Sequence, residues 1–289
     1  MRPWLLLAVA ALSACDSEPP APVVVYVPTG LEGQLSERFA DIDFAVTMVA
    51  GTSADITAQV IAKQDSPRAD VLVTSNAIDI WRAAEEGALR PIAGKSLANV
   101  PAELRDPDGS WAAVGFRRVL IGVAPGADTG SIADLKGLGA PEFAGRLCLT
   151  SFNLTANQAL VGLLIDELGV KTTERLVRNW IRNLAAAPFA DESTLHAELE
   201  KGGCEIGIIS RVPDGSSIDV IVPQPGYLLI DGIGVSRHAE NADAAQALVN
   251  WLLSSYQPGD LGGLSASNAG VAGWRSEEAR LLAERAGYR

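Results

Sequence analysis

The sequence predicts an α/β protein of mixed, mainly parallel sheets flanked by helices, and three observations predict it. Short apolar, β-branched runs alternate with helical segments along the chain. The first run, Val23–Val27, is apolar throughout, as in a strand covered on both faces. The helical segments end repeatedly at glycine (Gly87, Gly169, Gly202-Gly203), the residue that best adopts the conformation that closes a helix.

The elements follow in order. Leu31–Ala40 reads as a helix and Ala45–Val49 as a second strand. Gly51-Thr52-Ser53 opens a helix to Lys63, with Thr52 or Ser53 as N-cap. Asp70–Thr74 is a short strand and Ile78–Glu86 a helix. Phe116–Val123 is a strand, Ser131–Lys136 a short helix and Leu147–Thr150 a strand. A long helix runs from Leu154 to Leu168. Thr173–Asn183 follows, with Leu176, Val177, Trp180, Ile181 and Leu184 on one face. Ser193 caps a helix to Lys201. Glu205–Ile209, Ile218–Val222 and Leu228–Val235 are strands. Ala242–Ser255 and a segment capped by Ser276, with Glu277 and Glu278 in its first turn, are helices.

The N-terminus carries a processing signal. Arg2 precedes the apolar run Trp4–Leu12, and Leu12-Ser13-Ala14-Cys15 follows it. A basic start, a short apolar stretch and small residues at the cut describe a secretory signal. A cut directly before a cysteine resembles the bacterial lipoprotein signal, which implies that residues 1–14 are removed and Cys15 is acylated. Asp16 favours retention at the inner membrane in that family. Residues 15–22, rich in proline and charge, read as an extended tether.

About 275 residues remain after such a cut, enough for two domains or one large one. At 48% hydrophobic and 20% charged, the chain has ample material for real cores. No later apolar run reaches the length of a membrane span. Loss of Arg2 leaves 22 basic against 35 acidic residues, a balance that argues against nucleic acid, which needs basic stripes. Cys148 and Cys204 lie in or beside apolar strands; an oxidising compartment permits a disulfide, and two buried thiols are the alternative. No Gly-x-Ser-x-Gly elbow, P-loop or metal-spaced His/Cys/Asp cluster occurs. His196 and His238 fall in or just before polar helices and read as exposed. The chain is therefore not expected to be an enzyme or to carry a cofactor or metal.

Several stretches carry a family likeness: Val24-Val25-Tyr26; Ser66-Pro67-Arg68-Ala69-Asp70-Val71-Leu72-Val73; Ile80-Trp81 through Glu86-Gly87-Ala88-Leu89 to Pro91; Trp180-Ile181-Arg182-Asn183-Leu184; and Gly226–Gly234 into Trp251-Leu252-Leu253-Ser254. In this order they resemble the periplasmic solute-binding proteins of ABC importers, in the branch of ferric-ion-, thiamine- and phosphonate-binding members. The resemblance implies two lobes with a ligand cleft between them and closure by hinge motion. Lobe 1 would take 23–115 plus 234–289. Lobe 2 would take 116–233, with crossings at Phe116–Val123 and Tyr227–Gly234. It further implies a monomer that captures a small solute and passes it to an ABC permease in the inner membrane. A periplasmic sensor or adaptor on the same fold is the alternative. In that fold the strands carrying Cys148 and Cys204 share a sheet.

Loops after strands should line such a cleft. The candidates are Thr29, Ser53, Ser75, Asn76, Ser151, Asn153 and Arg211, with Arg117, Tyr227 and Asp231 on the crossings. Thr52, Ser53 and Ser193 are equally ordinary helix caps, and Trp81 and Trp180 read as core. Ferric-binding members place adjacent tyrosines where this chain has Ser210-Arg211, and a glutamate where it has Asn76. The departures imply that the usual phenolate-ligated ferric ion is not the cargo. Arginine among hydroxyls suits an anionic solute, and Asp231 an amine on a zwitterionic one.

Overall fold

The computed structural model describes residues 21–42, 45–130, 132–255 and 269–289. The signal segment, Cys15, Asp16 and the tether up to Pro20 lie outside the described residues, as does Ser131.

Two sheets organise the chain. In the first, β1 (Val23–Pro28) lies between β2 (Val46–Gly51) and β3 (Val71–Thr74), all parallel. Its position explains its composition: Val25 and Val27 are wholly buried, whereas β2, at the sheet edge, has no fully buried residue. The long strand β10 (Leu228–Ser236) runs antiparallel to β3, to β4 (Leu89–Arg90) and to β5 (Ala112–Arg118). Its C-terminal part pairs with β3 and β4, and Leu228–Ile233 pairs with β5. The second sheet has the order β7 (Leu147–Cys148), β8 (Ile206–Ile209), β6 (Leu120–Val123), β9 (Asp219–Ile221). β7 and β8 are parallel, and β6 is antiparallel to both neighbours. Antiparallel pairing is thus more extensive than a simple alternation of strands and helices predicts. It arises wherever a strand next to a crossing, β5, β6 or β10, takes part.

The expected single strand Phe116–Val123 is two strands in different sheets, broken at Val119. At that break the Val119 N–H donates to the Tyr227 carbonyl at 2.9 Å. The outgoing and returning crossings are therefore hydrogen-bonded to one another where the chain changes sheet.

Helices α1 (Glu32–Phe39), α2 (Ser53–Ala62) and α3 (Ala77–Glu85) follow β1, β2 and β3, and α7 (Ala242–Ser254) packs on β10. The second sheet is accompanied by α4 (Thr155–Leu168), α5 (Val170–Arg182) and α6 (Glu192–Glu200). The strongly one-sided face of α5 buries Leu176, Val177 and Trp180, and the Trp180 indole donates to the Leu135 carbonyl at 3.0 Å.

Four expectations are corrected. Residues 132–136 form no helix; 3-10 turns follow at Gly137–Gly139 and Pro141–Phe143, and Leu135 and Leu138 plug the core there. The cap of α6 is Asp191, which accepts from the Thr194 N–H at 2.8 Å; Ser193 lies inside the helix. Ser276 likewise opens its helix without capping it. The last helix, α9 (Ser276–Ala286), packs on α4 and α5 rather than on lobe 1, to which the expected division assigns it. Arg285 reaches Glu174 at 3.0 Å and the Tyr288 hydroxyl donates to the Thr150 carbonyl at 2.8 Å. The short α8 (Val271–Trp274) lies against both α3 and α4. Gly273 is required there, because a Cβ would stand 2.5 Å from the Trp81 side chain.

Cys148 and Cys204 are joined by a disulfide, with Cα atoms 5.9 Å apart. It sits in a small core with Leu195, Leu199, Ile209 and Ile218.

Candidate functional site

A cleft of about 600 Å³ opens between the two sheets. One wall is Thr29, Gly30 and Gln34 from the start of α1, with Ser75 and Asn76 at the end of β3. The other is Thr155 and Ala156 from the start of α4, with Glu192, Ser210 and Arg211. The crossing strands form the floor through Gly115, Phe116, Arg117 and Leu228–Asp231. Strand ends and helix starts meet here because parallel strands deliver all their C-terminal loops to one edge.

Of the ten candidates, Thr29, Ser75, Asn76, Arg117, Arg211 and Asp231 line the cleft; Ser53, Ser151, Asn153 and Tyr227 are not among its lining residues. Ser53 sits beneath the loop, its hydroxyl accepting from the Ser75 N–H at 3.3 Å and from the Asn76 amide at 3.2 Å. Ser151 accepts from the Asn153 N–H at 3.2 Å, holding the turn whose next residues, Leu154 to Ala156, make the wall. Tyr227 is buried and donates to Glu167 at 2.7 Å. Burial and that carboxylate push its phenol well above the ordinary range.

Asn76 lines the cleft with its side chain already committed. It is the N-cap of α3, accepting from the Asp79 N–H at 2.8 Å and donating to Asp79 at 2.8 Å and to Ser53. Its side chain therefore shapes the wall and is held within its own loop and helix start.

The floor carries a charge pair. Arg117 on β5 approaches Asp231 on β10 at 3.4 Å and donates to the Ser75 carbonyl at 3.1 Å. Asp231 stands opposite Gly115, where an added Cβ would come within 3.1 Å of its carboxylate, so the missing side chain makes room for the pair. Burial raises the Asp231 carboxyl above its usual range, while Arg117 and Arg211 pull it back down. Arg211, from the opposite wall, is thus close enough for its charge to act on Asp231. Its guanidinium makes no hydrogen bond or ion pair of its own among the described residues.

Glu192 and Gln34 are the residues that sequence reasoning missed. An acid in the first turn of α6 reads as dipole compensation, and only the fold brings it beside Ser210 and Arg211. His196, one turn on, is buried rather than exposed.

Two α/β lobes around a polar cleft floored by crossing strands define a periplasmic-binding-protein fold. The bacterial extracellular solute-binding protein model matches residues 38–256, and the chain belongs to that family. It is 24% identical over 276 residues to iron uptake protein A1 of Synechocystis, covering 84% of this chain and 77% of that protein. Among solved structures, the Trichodesmium protein IdiA (FutA) in complex with iron and citrate ligands is similar, with a TM-score of 0.81 at 20% identity over 93% of this chain and 100% of the other. AfuA of Actinobacillus pleuropneumoniae with bound fructose-6-phosphate gives 0.71 at 16% identity over 92% and 98%. The family is one of extracellular solute-binding proteins, not enzymes.

Proposed function

We propose that the protein captures a small anionic or zwitterionic solute in this cleft and delivers it to an ABC-type permease. The observation that carries the reading is the Arg211 guanidinium on the cleft wall without a hydrogen bond or ion pair among the described residues. Two helix starts on the lining, α1 and α4, lack a side-chain cap. Their free N–H groups and partial positive charge act in the same direction. Asp231 adds a place for an amine where the solute is zwitterionic. Iron, which the names of the relatives carry, is accommodated by the same reading as an anionic chelate, whose carboxylates rather than the metal would meet Arg211. The lobes close over the solute by bending where Val119 and Tyr227 join the crossings, as a monomer tethered through acylated Cys15 to the periplasmic face of the inner membrane.

A thermal-shift screen of the mature protein tests it, with citrate, phosphate, phosphonates, amino acids, ferric citrate and polyamines. A ligand at one hundred times its dissociation constant adds about 2.7 kcal/mol. Stabilisation by polyamines alone would sink the anion reading.

A further inference from the structure

Resting on the reading of the cleft as an anion site, we propose that the turn Ser210-Arg211 is a carboxylate subsite that the protein fills with its own Glu192 until a solute carboxylate displaces it. The donors are already arranged for an oxyanion. The Ser210 N–H at 2.5 Å and the Arg211 N–H at 3.0 Å both donate to Glu192 Oε1, and the Ser210 hydroxyl donates to Oε2 at 2.7 Å. Two consecutive backbone N–H groups and a hydroxyl converging on one carboxylate form a concave anion cradle. The turn follows β8 directly, so the rigid strand aims it.

Three observations mark this occupant as replaceable. Glu192 itself lines the cleft, with about a quarter of its side chain exposed, so an incoming anion can reach the same donors. An alternative seat exists: His196, on the next turn of α6, is buried, and its Nε2 has no hydrogen-bond partner and lies 3.6 Å from Glu192 Oε1. There is also room to move, because a cavity of about 30 Å³, lined by Glu192, Ser210, Thr150 and Asn157, adjoins the pair. Exchange of one carboxylate for another keeps every donor satisfied, which a neutral solute does not achieve. Glu192 thereby selects for solutes that bring a carboxylate or an equivalent oxyanion.

The test follows the backbone amide resonances of Ser210 and Arg211 in the mature, isotope-labelled chain. The probe is acetate, the smallest carboxylate. In Glu192→Ala the cradle has lost its internal occupant, and acetate should shift both resonances at a concentration at least tenfold lower than in the wild type. Equal responses, or none in the variant, overturn the subsite. Glu192→Gln, which keeps the side-chain volume, gives the same comparison if the alanine variant does not fold. Citrate supplies the competition: it should bind Glu192→Gln about tenfold more tightly than wild type if the native charge competes with it. Weaker binding would make Glu192 a scaffold for Arg211 and overturn the proposal. Failure of the underlying reading appears separately, as wild-type protein stabilised by no anion of the screen while the acetate response of Glu192→Ala persists.

Discussion

Asp231 and Arg117 stand on adjacent antiparallel strands with carboxylate and guanidinium 3.4 Å apart, at the floor of the cleft where the chain passes between sheets. Burial nonetheless outweighs the arginines and leaves the Asp231 carboxyl raised. A raised carboxyl binds its proton more tightly in the folded than in the unfolded state. Stability from this group is therefore full below the unfolded-state value, near 3.9, and falls as pH rises through the folded-state value. Asp231→Asn should remove that fall. Chemical denaturation across pH 3 to 7 should show wild type losing ground to the variant as pH rises. A variant that is equally or more disfavoured at pH 7 than at pH 3 would show that the pair with Arg117 dominates instead.

Arg211 should control affinity for an anion. A charge-assisted hydrogen bond contributes about 1.5–3 kcal/mol, so Arg211→Ala should weaken citrate or phosphate binding by more than tenfold in calorimetry. Asn76→Ala should act mainly on stability, by about 1 kcal/mol, because its side chain caps α3. Unchanged affinity in Arg211→Ala would place the recognition elsewhere in the cleft.

What the sequence disclosed and what it hid divides along the range of the interactions. Val23–Val27, the Gly51-Thr52-Ser53 helix start and the α5 face are local patterns, a continuous apolar run, a cap and a 3.6-residue period, and each appears as an element close to its expected limits. Pairing partners are not local. Nothing in Phe116–Val123 signals that Val119 ends one sheet's strand and Leu120 starts another's. Nor does anything in 276–289 signal that α9 lies on α4 and α5 rather than with its chain neighbours. The site divides likewise. Thr29, Ser75, Asn76 and Arg211 follow strand ends and line the cleft, a placement that strand order makes legible, whereas the commitment of the Asn76 amide and the placing of Glu192 against Ser210 depend on three-dimensional partners. Residue type alone misjudged His196, which a polar helix pattern puts at the surface and the structure buries.

Phenolate ligation of iron can be read by colour. Tyr26, Tyr227 and Tyr288 are all buried, and burial raises each phenol above its ordinary value. None of the three lines the cleft; Tyr256 lies outside the described residues. Mature protein mixed with ferric citrate should show no phenolate charge-transfer band in the visible spectrum. A strong band would mean that iron finds a tyrosine, and the chelate reading would be wrong.

Replacing Cys15 by Ser should release the protein from the membrane or leave it unprocessed, because the thiol is the acylation site in the signal that residues 12–15 resemble. Two or more acyl chains give stable anchoring, at about 0.8 kcal/mol per buried methylene. A Cys15→Ser protein of mature size that still fractionates with membranes would rule out the lipid anchor.

The disulfide should stabilise the second sheet without restraining closure of the cleft. Cys148 lies on β7 and Cys204 just before β8, the parallel neighbour of β7, 56 positions further along the sequence. Both ends belong to the same sheet, so no bond crosses the cleft. A loop of that length gives about 4 kcal/mol in the chain-entropy picture. The enclosing side chains Leu195, Leu199, Ile209 and Ile218 pack round the bridge, so its removal also opens a gap in their core. Cys148→Ala/Cys204→Ala should therefore unfold at markedly lower denaturant concentration, with a loss of about 2–5 kcal/mol. The solute affinity of the protein that remains folded should stay within about threefold of wild type, because neither Cys148 nor Cys204 lines the cleft. Mass spectrometry of alkylated, non-reduced protein checks the premise, since two alkylated thiols would mean that the bond does not form in the mature chain. A double variant with native stability would show that core packing alone holds the second sheet.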